Sequence, residues 1–154
     1  MRKKAQVSVE YMFIIGLAMT ILIPGSMIFF KYSQSSNEGL VATQINRIGK
    51  NLIDTADSIY TVGKNSWTTM DTNFPESIFE MYIIEDAQEL VIKYNTARGP
   101  TEAVFFSDTP IQGEHPRTDD TNIQDITPLF HPGMMHIKVE SKGDVVIIGE
   151  TVVV

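Results

Sequence analysis

The chain has 154 residues, enough for one domain of ordinary size plus an appended element, and no cysteine, which excludes a disulfide framework and thiolate metal sites. Its formal charge of −7 understates the acidity of the body: Arg2, Lys3 and Lys4 open the chain, and residues 6–154 carry nine basic against nineteen acidic groups. An acidic body with no basic patch repels phosphate backbones, so nucleic acid is not an expected partner.

The first element is Lys3-Lys4-Ala5-Gln6-Val7-Ser8-Val9-Glu10, a basic start that meets a small residue and then a single carboxylate. Behind it Tyr11–Phe30 runs for twenty residues without a charge. Twenty helical residues rise about 30 Å, the thickness of a bilayer's hydrocarbon core, so the segment predicts a membrane-spanning helix. The basic residues in front favour a cytoplasmic N-terminus, with everything after Lys31 outside. A secretory signal peptide has a shorter apolar region and a small-x-small cleavage site after it, and FFKYSQSS offers no such site. Pro24-Gly25 predicts a kink or a local unwinding, because proline lacks the N–H and crowds the preceding turn. Glu10 stands at the edge of the apolar run, where a charge costs little.

A polar stretch, KYSQSSNEG, leads into a second helical pattern with Val41, Ile45, Ile48, Leu52, Ala56 and Ile59 on one face. Asn46, Arg47, Lys50, Asn51, Asp54 and Asp57 fall on the other, as in an amphipathic helix docked on something apolar. Joined, residues 7 to about 62 make one element on the order of 80 Å long. Six β-branched or aromatic runs follow: Ser77–Ile84, Glu89–Tyr94, Ala103–Ser107, Met134–Glu140, Asp144–Ile148 and Thr151–Val154. The links 85–88, 96–100 and 141–143 are hairpin-length, so neighbouring strands are expected to pair antiparallel. Residues 108–133 hold four of the seven prolines and little periodicity, which reads as a long acidic surface loop. Trp67, with Tyr60 and Phe74, lies between helix and sheet and is expected to pack there.

The three histidines, His115, His131 and His136, do not have the spacing of a helical metal pair, and no EF-hand, nucleophile elbow, phosphate loop or HExxH pattern occurs. No cofactor and no catalytic residue is expected. The fold class is α+β: a long N-terminal helix, transmembrane and then amphipathic, packed on a small antiparallel β-sheet domain. The expected organisation is 1–5 basic leader, 6–32 apolar helix, 33–63 amphipathic continuation, and 64–154 β domain with its loop at 108–133.

The segment from Lys3 to Tyr11 and the apolar run behind it resemble the class III signal sequences of archaeal type IV pilin-like proteins, over about thirty residues. The resemblance implies cleavage by a prepilin peptidase on the cytoplasmic side, with Lys3 and Lys4 as leader, Ala5 before the cut, Gln6 as the new N-terminus and Glu10 as the fifth mature residue. Ala5-Gln6 followed by Glu10 is more similar to the pilin subgroup than to archaellins. What is implied is a non-enzymatic pilus subunit, membrane-bound as a precursor and a cell-surface homopolymer when mature. Its implied partners are the peptidase, other pilin subunits, an assembly platform protein and an ATPase. Two alternatives share these residues: a single-pass anchor for an extracellular binding domain, and a minor pilin or pseudopilin of a secretion or uptake complex.

Overall fold

A computed structural model describes the backbone of residues 2–151 and the side chains of residues 9–33 and 38–151. Among the described residues, helix α1 (Arg2–Val62) is followed by nine strands: β1 (Trp67–Phe74), β2 (Ile78–Ile84), β3 (Glu89–Thr96), β4 (Gly99–Phe106), β5 (Ile111–Gly113), β6 (His115–Pro116), β7 (Ile123–Asp125), β8 (Gly133–Ser141) and β9 (Val146–Glu150). Two compact units divide it between Gly39 and Leu40.

In the first unit α1 keeps helical backbone through Pro24 and Gly25, the residues at which a kink or a local unwinding is expected. Pro24 withholds the N–H that the carbonyl of Thr20 would accept. Nearby hydroxyls bond inside the helix rather than competing from outside it: Thr20 Oγ1 donates to the carbonyl of Gly16 at 2.8 Å and Ser26 Oγ to that of Ile23 at 2.8 Å.

In the second unit the face anticipated from the 3–4 spacing is the buried one. Ile45, Ile48, Leu52 and Ala56 lie in the core, joined by Ile53, while Val41 and Ile59 pack at its margin. Gly49 is buried among them, and a Cβ there would come within 2.2 Å of the Phe105 ring. Its missing side chain is what lets β4 close on the helix. The helix ends where Gly63 takes a φ of +105° and its N–H bonds the carbonyl of Ile59 at 3.2 Å, a left-handed stop that a residue with a Cβ would strain to make.

The β region forms two sheets where one was expected. The first has the order β1-β8-β9-β5, the second β4-β3-β2-β7-β6. All pairings are antiparallel except β5 with β9. In β8, Met135, Ile137 and Val139 point inward and alternate with Met134, His136, Lys138 and Glu140. Ile78, Met81 and Ile83 of β2, Leu90 and Ile92 of β3 and Phe105 of β4 face the same core, which also takes in the buried face of the helix.

The strands depart from the expected runs at several points, β4 among them, which starts at Gly99 rather than Ala103. Strand β1 was not anticipated: WTTMDTNF is polar on one face, with only Met70 and Phe74 as strong apolar inward residues. The expected strand at Asp144–Ile148 starts later, because residues 142–145 form the turn closed by the Lys142 N–H to the Val145 carbonyl at 2.9 Å. Residues 152–154 of the expected last strand lie outside the described residues, and Thr151 before them is not in a strand. The largest difference is in residues 108–133, which are not a surface loop throughout. They supply β5, β6 and β7, and Ile111, Gln124, Ile126 and Thr127 are buried. At Gly113 the chain passes from one sheet to the other, and a Cβ there would stand 2.7 Å and 2.8 Å from the carbonyl oxygens of Gln124 and Asp125.

Candidate membrane and assembly segment

The anticipated site begins at the N-terminus. The side chains of Lys3, Lys4, Ala5 and Gln6 lie outside those described, and their backbone belongs to α1. Gln6 and Glu10 are four residues apart on that helix, which puts them on one face a turn apart. Glu10 is exposed, directly before the apolar run.

Every described side chain from Val9 to Ser33 is exposed. Phe13 and Phe29 are 74% and 72% accessible, and no residue of the most apolar 18-residue window, with a mean hydropathy of 2.2, is buried. This helix is long and apolar enough to cross a membrane. Its apolar residues run all round it, so no single docking face would cover them, and a soluble monomer rarely leaves more than a few hundred Å² of contiguous apolar surface open. Ten Leu, Ile and Phe residues lie between Tyr11 and Phe30. At about −0.3 to −0.6 kcal/mol each near a bilayer centre, they favour insertion by up to roughly 3–6 kcal/mol.

On the body, the outer face of the second sheet carries a charge network that the sequence reading did not find. Arg117 donates to both carboxylate oxygens of Asp125 (3.0 Å from Nε, 2.6 Å from Nη2) and to Glu80 at 2.6 Å. Lys93 pairs with Glu80 at 3.0 Å. Both cations lie near the Tyr82 ring, at 4.9 Å for Arg117 and 5.0 Å for Lys93. Burial pushes the Glu80 carboxyl up, but the bonds from Lys93 and Arg117 prevail and hold it below its usual range. The four residues come from β2, β3, the link after β6, and β7, so only the sheet register brings them together.

The remaining anticipated groups are dispersed. His131 meets Glu150 at 2.9 Å, and His136 meets Asp71 across β8 and β1 at 2.6 Å. Asp120 caps the N–H of Asn122 at 3.0 Å. Among the described residues no three His, Asp or Glu side chains converge as a metal-ligand set. Phe74 is buried, edge-on to Phe130 at 5.7 Å, and Tyr60 packs at the core margin. Trp67 does not pack there: it begins the edge strand β1 on its outward side and is 62% accessible. No protein-family model, curated protein or solved structure matches the chain.

Proposed function

We propose that the chain is a structural subunit of an extracellular type IV-like pilus, made as a membrane precursor, cut after Ala5 and polymerised through its N-terminal helix. The observation that carries this reading is the uncovered apolar stretch of α1 from Tyr11 to Phe30, on a chain whose other unit has its own closed core. Lipid and a bundle of identical helices are alternative solvents for one surface, and a helix apolar all round suits both. In such a bundle the Glu10 carboxylate would lie among apolar side chains and need a cation. Cleavage after Ala5 frees an α-amine on Gln6, one turn away, to supply it on the same or an adjacent subunit. The cut also removes the three positive charges that hold the N-terminus at the cytoplasmic face. Prepilin peptidase, an assembly platform protein and an ATPase are the partners this reading requires.

N-terminal sequencing of the membrane-bound and sheared cell-surface protein tests it. Expected is a surface polymer beginning at Gln6, lost in Ala5→Leu, and a cleaved but unpolymerised chain in Glu10→Val. A chain that keeps its leader and never enters the sheared fraction would instead be a single-pass anchor for an extracellular binding domain. A Gln6 start with only trace incorporation would mark a minor pilin.

A further inference from the structure

The outer face of the first sheet holds a group of side chains that the filament reading does not use. Trp67, the chain's only tryptophan, stands opposite Glu140 in the β1–β8 register, and Thr69 stands opposite Lys138. Opposed side chains on one face of a sheet lie about 4.5–5.5 Å apart at Cβ, so the four form a continuous plate. Lys138 donates to Glu140 at 2.8 Å and lies 5.8 Å from the centre of the indole ring, and Lys142 bonds the other Glu140 oxygen. Two ammonium groups thus converge on one carboxylate beside an exposed indole, over which Lys138 lies. Because β1 is the edge strand, no further strand among the described residues flanks the ring on that side.

The chemistry of this plate selects among occupants. A tryptophan that anchors a protein partner normally sits in a pocket ringed by contacts that exclude water. Here the ring's sheet neighbours are Thr69, Lys138 and Glu140, and exposed Met134 is six residues from Glu140 along β8, about 20 Å away. A pyranose fits such a surface: its C–H face lies on an aromatic ring, while its hydroxyls both donate and accept. Glu140 supplies acceptor oxygens and Lys142 donor hydrogens, held in place by their mutual pairing.

We propose that this face binds carbohydrate, with a sugar ring stacked on Trp67, hydroxyls bonded to Glu140 and Lys142, and Lys138 positioning the indole. The proposal does not depend on the filament reading, since an anchored monomer would present the same face.

A single tryptophan makes the site its own reporter. The full-length chain, in a detergent without a sugar head group, is titrated with cellotetraose, mannotetraose, chitotetraose and trigalacturonate while Trp67 emission is followed. A saturable change is expected with at least one, and whether trigalacturonate or a neutral sugar gives it assigns an acidic or a neutral glycan. Glu140→Gln and Lys142→Met should each weaken that response at least tenfold with an unchanged circular dichroism spectrum. On immobilised glycan, Trp67→Tyr should retain binding that Trp67→Ala loses. The proposal is overturned if no sugar gives saturation, or if Glu140→Gln and Lys142→Met both bind as the parent does. An emission shift that follows protein concentration without sugar would also overturn it, assigning the face to a second copy of the chain.

Discussion

At Gly113 and Gly49 the absence of a single carbon decides what can close. A methyl at Gly113 meets two backbone carbonyls, which cannot step aside as a side-chain tip can. Gly113→Ala should therefore cost about 1–3 kcal/mol and lower the thermal midpoint by several degrees in a melt followed by circular dichroism. His131 adds a pH dependence. Its imidazolium is favoured first by the Pro132 carbonyl and then by the Glu150 carboxylate, and its folded pKa is raised above the ordinary value. The contribution is complete below the ordinary imidazole pKa of about 6.5 and disappears as pH rises through the raised one. As pH rises from about 6.5 through the raised value, the parent should lose its stability advantage over His131→Gln, read as converging denaturant midpoints. Neither effect was legible beforehand. The glycine's neighbours are eleven or more residues away in sequence, and Glu150 is nineteen from His131.

Helix α1 is where local reading reached furthest. The twenty uncharged residues and the 3–4 spacing after them are properties of one strip of chain, and periodicity reports them before any partner is known. The two halves should respond to substitution differently. Leu52, fully buried, should cost about 2–5 kcal/mol when changed to alanine, seen as a lower denaturant midpoint of the body. Leu17→Lys leaves that midpoint unchanged, but a lysine near a bilayer centre costs about 2.5–3.5 kcal/mol, comparable with the whole insertion gain estimated for the segment. Its expected result is loss from the membrane fraction after carbonate extraction. The hairpins β2–β3, β3–β4 and β8–β9 were legible for a related reason, each joining adjacent runs through a short turn. Strands β5, β6 and β7 were not, since two or three residues hold too little pattern to register.

At the scale of the whole molecule, the buried apolar side chains among the described residues all fall in the unit from Leu40 to Val154. A chain starting at Leu40 should fold in buffer without detergent, with the cooperative melt of the body, whereas the full chain should need detergent to stay dispersed. Gel filtration and circular dichroism of the two check this, and an aggregated or unfolded Leu40–Val154 chain would show that the body needs the first unit. The sequence by itself determined the α+β class, the apolar and amphipathic stretches of the helix and its end near residue 62, because these rest on neighbours within a few turns. It also carried the Lys4-Ala5-Gln6 and Glu10 pattern on which the pilus proposal stands. Tertiary structure alone decided that the strands form two sheets, that β5 joins β9 in parallel, that Arg117 meets Glu80, and that Trp67 faces out. Each depends on which distant segment offers a partner, and hydrogen bonding and apolar burial settle that choice only when the chain has closed on itself.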